Sequence, residues 1–462
     1  MKRFLPSISA FIGFILITVF IAWAFSLHGT LGLFRVNGQF HFLFLYAGGF
    51  GLLLLLGSLL YTGLKKRPKT ISLKWLAAIL LVLSVPGILG PPLAFLYTNG
   101  AFSGSLGATP PELLLADGSG TNGVPDLVVT FNTLSPEKDI LTWGTQGNQV
   151  SAGEKIAARE HVFMLTGLEP SSAYTYRVND GVTYAFTTPP VDGELHFAMS
   201  SDAHFGAGDN RADLTARMLA DIADPAAAYN LFFSAGDLVD HGFSASQWGE
   251  ALRTFSQATS VIPTRFAVGN HDSLFSGLSL YEKYLYPPGM ALQTGSRLWY
   301  RIDVGSVHFL VLDMEWSAES YSPAQASWLE AQLKDIPAGD WKIMVSHGFY
   351  YSSGSVVGGW KWYDNPETIG ALAPLFEKYG VNLVLSGHNH QMEFLQHNGV
   401  SYAICGAFGG LPDEARTYRS PASLWYLNDT YGYLDVSIKA DQCTVTFRDP
   451  DNAALKTFTI SR

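Results

Sequence analysis

The sequence predicts three transmembrane helices, then a small β-sandwich, then a larger α/β domain. Three observations predict it. Residues 1–97 hold three long uncharged apolar runs, residues 112–190 alternate in short turn-bounded strands, and residues 191–462 repeat apolar strand, polar loop and helix.

The apolar runs are Phe4–Leu27, Phe42–Leu64 and Trp75–Tyr97. Each exceeds the roughly 20 residues that cross a hydrocarbon core. Pro86, Pro91 and Pro92 predict a kink in the third, which membrane helices tolerate. The Ala22–Ala24 stretch has the look of a signal cleavage site, yet two further spans would remain after it. The first hundred residues carry eight Lys and Arg and no Asp or Glu, so a net charge of −10 leaves −18 for the rest. With Lys2, Arg3 and the Lys65–Lys74 loop held inside by the positive-inside rule, three crossings place everything after Tyr97 outside. The expectation is a multi-pass cell-membrane protein with a cytoplasmic N-terminus and an extracytoplasmic catalytic domain. An acidic soluble part with no basic block argues against nucleic acid as the main partner. Small phosphate substrates stay open, because a metal can supply the positive charge. Cys405 and Cys443 lie in strand-like segments and fit either one disulfide or two unrelated buried thiols.

Thr98–Pro111 is rich in Gly, Ser and Pro and reads as a linker. Beyond it DLVVTFNT, DILTWGTQ, HVFMLTGL, AYTYRVND and VTYAFTTP read as strands of a sandwich over residues 112–190. Within it Leu168, Pro170 and Tyr174 resemble the L-x-P-x-x-x-Y corner of fibronectin type III domains, which implies a spacer or docking surface. From residue 191, strands such as LHFAMSS, NLFFSAG, TRFAVG, WKIMVS and VNLVLSG alternate with helices, ending in the hairpin GYLDVSIKADQCTVTFRDP. In such domains ligands bind beyond the carboxyl ends of the strands.

Five polar clusters sit at those ends: Asp202-Ala-His204, Gly236-Asp237-Leu-Val-Asp240, Gly269-Asn270-His271-Asp272, Ser346-His347-Gly348 and Gly387-His388-Asn-His390. Each alone is weak, since a strand-end Asp is commonly a helix cap and a lone His a packed residue. Five in order, each after an apolar strand, point to one site. Hydrolysing a phosphate ester brings a nucleophile to an already negative centre. Two close metals can activate a water and hold the phosphate oxygens. Such a pair needs a shared carboxylate and mixed N and O ligands. Asp237 is the expected bridge, with Asp202, His204 and His390 completing one set and Asn270, His347 and His388 the other. Residues i and i+2 of an extended chain share a side, so His388 and His390 can reach neighbouring metals.

Together these clusters resemble the calcineurin-like metallophosphoesterases, whose D-x-H, G-D-x-x-D, G-N-H-[DE], later His and G-H-x-H pattern is met over about residues 194–410. The resemblance implies a four-layered α/β/β/α sandwich holding two divalent metal ions (Mn, Fe, Zn or similar). It also implies that His271 donates a proton to the leaving alcohol or steers the phosphate, while Asp240 orients the imidazole. The preceding sandwich and WLEAQL (Trp328–Leu333) are similar to the purple acid phosphatase branch, whose coloured members carry a Tyr ligand in G-D-x-x-Y. Here that position is Asp240, so a colourless divalent pair is expected. Where protein Ser/Thr phosphatases carry an Arg after G-D-x-x-D, this chain has His241, which weakens that reading.

Candidate substrate contacts are His241, Arg211 in Phe205–Arg211, and Tyr350 and Tyr351 in the aromatic loop Phe349–Asn365, which also offers Trp360 and Trp362. The expected function is hydrolysis of small phosphate esters, phosphomonoesters first, by a membrane-anchored enzyme using a bridging hydroxide. Alternatives are a phosphodiesterase on nucleotides or lipid head groups, and a non-catalytic phosphate-binding or adhesive surface protein.

Overall fold

Burial alternating along the strands sets the layers. The computed structural model describes residues 96–97, 106–274, 277–287, 296–357 and 359–462. The chain first forms β1 (Glu112–Leu115), β2 (Leu127–Glu137), β3 (Ile140–Thr145), β4 (Asn148–Gly153), β5 (Ala158–Leu165), β6 (Ala173–Val178) and β7 (Thr183–Thr187). Helices then alternate with strands: β8 (Glu194–Ser200), α1 (Ala212–Ala223), β9 (Leu231–Ser234), α2 (Ala245–Thr259), β10 (Thr264–Phe266), α3 (Asn270–Ser273) and α4 (Gly277–Leu285). Next come β11 (Tyr300–Val304), β12 (Val307–Val311), α5 (Pro323–Asp335), β13 (Trp341–Val345), the short pair β14 (Val356–Val357) and β15 (Trp360–Lys361), and α6 (Pro366–Tyr379). The last elements are β16 (Leu383–Ser386), β17 (Met392–His397), β18 (Val400–Cys405), β19 (Ser423–Leu427), β20 (Tyr433–Lys439), β21 (Gln442–Arg448) and β22 (Ala454–Ser461).

One sheet runs β22-β21-β20-β8-β9-β10-β1-β2-β5, a second β11-β12-β13-β16-β18-β17-β19, and a third β4-β3-β6-β7. On β9, Phe232 meets Phe255 of α2 at 6.1 Å, while Phe233 stacks on Phe309 of β12 at 4.6 Å. Successive strand residues point to opposite faces, so this pair defines a helix layer on one side and the second sheet on the other. The same switch occurs on β12, where Leu310 turns away from Phe309 to share a core with Leu329 and Leu333 of α5 and Leu372 and Phe376 of α6. The layers are therefore helix, sheet, sheet, helix. Ser244, Ser322 and Asn365 cap α2, α5 and α6 by accepting from the N–H groups of Gln247, Gln325 and Thr368.

The first sheet crosses the residue 190/191 boundary. β1 joins β10 in parallel, with Leu114 opposite Thr264, and β2 pairs antiparallel with β1. Glu112–Leu115 reads ELLL and is buried along its whole length, as suits an interior strand. β5 follows β2 at the edge of the first sheet, while β3, β4, β6 and β7 form the four-stranded sheet, which shares one apolar core with the rest through Leu141, Tyr174, Tyr176 and Phe186. The corner tyrosine closes its loop by accepting the Glu169 N–H at 3.0 Å. Cys405 and Cys443 are free, buried thiols.

The fold class needs one correction. Among the described residues no helix is long and apolar enough to cross a membrane. α2, at 15 residues, extends about 22 Å, short of the roughly 30 Å hydrocarbon core. The described architecture is mostly β-sheet with an α/β domain, so the expected three transmembrane helices are not supported by the described residues. The segments Phe4–Leu27, Phe42–Leu64 and most of Trp75–Tyr97 lie outside the described residues.

Candidate metal centre

The loops after β8, β9, β10, β13 and β16 open at one edge of the paired sheets, and those after β8, β9 and β16 leave their strands through left-handed backbone. Asp202, His204, Asp237 and His388 have φ of 62°, 50°, 52° and 68°. Left-handed backbone costs a non-glycine residue about 1 kcal/mol or more, and it persists where the surroundings enforce it. Here the Asp202 and His204 N–H groups donate to the carbonyls of Gly236 and Asp237, each at 3.0 Å. Close approach explains two glycines: a Cβ on Gly269 would fall on the Asp237 carboxylate, and one on Gly387 on that of Asp202. The buried Asp272 carboxylate accepts from the N–H groups of Asp237 (2.8 Å), Leu238 (2.9 Å), Val239 (3.3 Å) and Gly269 (3.1 Å), locking two of the loops together.

Two acceptor sets result. In the first, His204 Nε2 and His390 Nε2 lie 3.1 Å apart, with Asp202 Oδ1 3.7 and 3.4 Å from them. In the second, Asn270 Oδ1 is 2.9 Å from both His347 Nε2 and His388 Nδ1, which are 3.0 Å from each other. Asp237 Oδ2 stands between the sets, 3.5 Å from His204 Nε2 and 3.3 Å from His347 Nε2.

These residues fit two metal ions. The Nδ1 of His347 donates to the Ala235 carbonyl at 2.9 Å, and that of His390 to the Leu411 carbonyl at 2.7 Å. Each Nε2 lone pair is thereby turned into the site, the usual arrangement around a metal-bound imidazole. Asp202 Oδ1 is buried and accepts no hydrogen bond. Converging lone pairs repel unless a cation sits among them, and mixed nitrogen and oxygen donors suit Mn, Fe(II) or Zn.

The electrostatics agree. Burial disfavours ionisation of Asp202 and Asp237, yet both are held well below the carboxylate range, Asp202 by His204 and His390 and Asp237 by His347 and His271. Burial likewise opposes protonation of His347 and His390, but Asp237 pushes the first up to about 9 and Asp202 the second up to about 10. A field that draws protons this strongly draws divalent cations in their place. His388, buried beside His347, is pushed down to about 3 and already presents a lone pair.

His271 and Asp240 border the two sets. His271 Nδ1 donates to the Asp240 backbone carbonyl at 2.8 Å, with Asp240 Oδ1 at 3.3 Å. Its ring meets His204 edge-on at 4.5 Å, and its N–H donates to Asp237 Oδ1 at 2.8 Å.

All seven expected ligands thus gather around Asp237, with His271 and Asp240 alongside. The expected substrate contacts fare differently. His241 is buried behind Asp240, its Nδ1 3.0 Å from Asp240 Oδ2. Arg211 is exposed and held by Asp213 at 2.8 and 2.7 Å. Tyr350 is buried against Phe376 and Tyr402, and Tyr351 packs on His397 and Tyr402. Trp362 does reach the centre, its ring 5.0 Å from that of His388. Two supports escaped the sequence reading. Asp272 was visible as the acid after G-N-H, and Asp413, which accepts the His390 N–H at 2.8 Å, had no signal.

Comparison with known proteins follows the same outline. The calcineurin-like phosphoesterase family matches residues 195–392. Purple acid phosphatase 18 of Arabidopsis thaliana is 25% identical over 57% of this chain and 61% of its own length. A probable inactive purple acid phosphatase 1 of the same plant is 23% identical over 66% of this chain and 58% of its own. The chain thus spans about three fifths of these relatives. The purple acid phosphatase PPD1 from yellow lupin (Lupinus luteus) seeds superimposes with a TM-score of 0.64 at 19% identity, over 76% of this chain and 74% of that one, a likeness of fold. Residues 195–392 are a calcineurin-like metallophosphoesterase domain, with purple acid phosphatases among the homologues of this chain.

Proposed function

We propose that the chain hydrolyses small phosphate esters, monoesters first, at a centre of two divalent metal ions. The observation that carries this reading is the Asp237 carboxylate set between two acceptor clusters. Bound there, the ions would clamp phosphate oxygens and activate water. The protein's own groups supply the rest. Asp202, His204 and His390 would hold one ion and Asn270, His347 and His388 the other, with the Asp237 carboxylate placed within reach of both. His271 gives a proton to the leaving oxygen as the P–O ester bond breaks, and Asp240 fixes the ring through Nδ1. Asp240 stands where the coloured phosphatases have a tyrosine ligand, so the loaded protein is expected to lack a visible charge-transfer band. The Tyr174 corner supports a fibronectin-like reading of the N-terminal strands, as a spacer with no part in the chemistry.

The test is to load the full chain with Mn²⁺ or Zn²⁺ and assay 4-nitrophenyl phosphate and bis(4-nitrophenyl) phosphate beside Asp237→Asn. Metal-dependent turnover that disappears in the variant supports the reading, and the preferred ester separates monoesterase from diesterase. Two bound metals with no turnover of either ester would leave a phosphate-binding protein instead.

A further inference from the structure

The loop after β16 that presents His388 and His390 also carries the polar side chains of Asn389 and Gln391, and β17 continues that alternation with Glu393. All three are buried and all three grip the loop after β13. Glu393 Oε2 accepts the Ser353 N–H at 2.8 Å and its Oε1 the Ser353 hydroxyl at 2.6 Å. Gln391 Nε2 donates to Ser352 Oγ, the Ser353 carbonyl and Glu393 Oε2, each at 2.9 Å. Asn389 Nδ2 donates to Ser352 Oγ at 2.8 Å and to the carbonyl of Trp362 at 3.1 Å. On the far side, Asp364 accepts the Ser352 N–H at 3.0 Å and the Tyr418 hydroxyl at 2.6 Å.

A buried carboxylate with this many donors is weak evidence for stability, since an apolar core commonly does as well. What the network achieves is geometry. It fixes Trp362, a half-buried ring whose plane lies 35° from that of His388, a residue of the second metal set. A rigid aromatic face beside the point where phosphate is held meets whatever the phosphate is attached to. Stacking on such a face favours planar groups.

Resting on the phosphoesterase reading above, we propose that Trp362 forms a leaving-group subsite for planar aryl or nucleobase groups, and that Glu393 is the residue that positions it. Discrimination then lies in the loop and not in the ligands.

The experiment uses the metal-loaded full chain and the ratio of kcat/KM for 4-nitrophenyl phosphate to that for glycerol 2-phosphate, whose leaving group is not planar. Trp362→Leu, which stays apolar and removes the π face, is expected to lower this ratio roughly tenfold. Trp362→Phe is expected to restore most of it, and Glu393→Gln to shift it the same way by a smaller factor, mainly through KM. A ratio within twofold of the starting protein in Trp362→Leu overturns the subsite, whatever the absolute rates do. If Trp362→Leu does not fold, an unshifted ratio in Glu393→Gln overturns the proposal instead. Unmutated, metal-loaded protein that turns over neither ester takes down the phosphoesterase reading itself and the subsite with it.

Discussion

Asp237 and Glu112 are both carboxylates buried to within a few per cent, at 1% and 3% exposure, and they meet opposite fates. Asp237 lies among His204, His347 and the His271 N–H and is held far below its ordinary range. Glu112 begins β1 beside the four-stranded sheet, neither of its oxygens has a hydrogen-bond partner among the described residues, and burial pushes it up to about 8. Desolvation acts on both; imidazoles and N–H donors surround only one. A buried acid that stays charged marks where positive charge is to be delivered, and one that neutralises marks a packing seam.

Removing the charge at the centre is the strongest way to break this contrast. Asp237→Asn keeps the shape and abolishes the shared anion. Several kcal/mol of transition-state stabilisation should go with it, about 10³-fold in kcat/KM, with metal lost in elemental analysis. Full activity in this variant would mean that Asp237 bridges nothing.

At the seam the expected effect is on stability and has a sign. The ordinary value for Glu112 is 4.5 and its folded value about 8. Between these the unfolded chain gives up its proton while the folded chain keeps it, so stability falls as pH rises through that window and levels off above it. Tyr176, raised well above 10, stays neutral throughout. Glu112→Gln should remove the slope. Comparing urea midpoints at pH 5 and pH 8, the difference between the parent and the variant should change by a few kcal/mol at most. Parallel pH profiles would show that Glu112 is solvated or paired in solution.

A smaller effect tests whether the two acceptor sets are separable. Asp413 fixes the His390 backbone N–H at 2.8 Å, and among the described residues it makes no hydrogen bond or ion pair to the second set. Asp413→Ala should weaken one metal by 10- to 100-fold, the usual range for a support behind a ligand, and spare the other. Calorimetric titration with Zn²⁺ would show one displaced step, and equal weakening of both would show a single coupled unit.

What could be read in advance follows from the same contrast. The seven candidate ligands were legible because five polar clusters, each weak alone, fell in order after five apolar strands. Adjacency to His347 suggests a pocket wall at Tyr350 and Tyr351, whereas the chain buries Tyr350 against Phe376 and Tyr402 and lays half-buried Tyr351 on His397 and Tyr402. Arg211 follows the first polar cluster and reads from the sequence as a phosphate contact, but Asp213, two residues on, holds it at the surface. β1 went unseen because four residues after a Pro-rich linker carry no periodicity. Pairing with β10 on one side and β2 on the other makes them a strand. Asn389, Gln391 and Glu393 sit at every second position beside the ligand histidines, a pattern present in the sequence. Its meaning needed the loop they hold.

The smallest effect lies at the seam again and isolates it from the chemistry. The Tyr176 hydroxyl donates to the Ser260 carbonyl at 2.8 Å, tying the four-stranded sheet to the end of α2, and its ring stacks on Tyr184 at 5.1 Å. Tyr176→Phe keeps the stack and removes one buried hydrogen bond, so a loss of about 1 kcal/mol is expected in urea unfolding. Ser260 lies at the opposite end of α2 from Ser244, which is on the His241 side of the centre. Nothing in the hydrogen bonding carries that loss to Asp237, so kcat/KM should stay within twofold of the parent. A clear fall in kcat with metal content intact would mean that the N-terminal strands help to shape the centre and are more than a spacer.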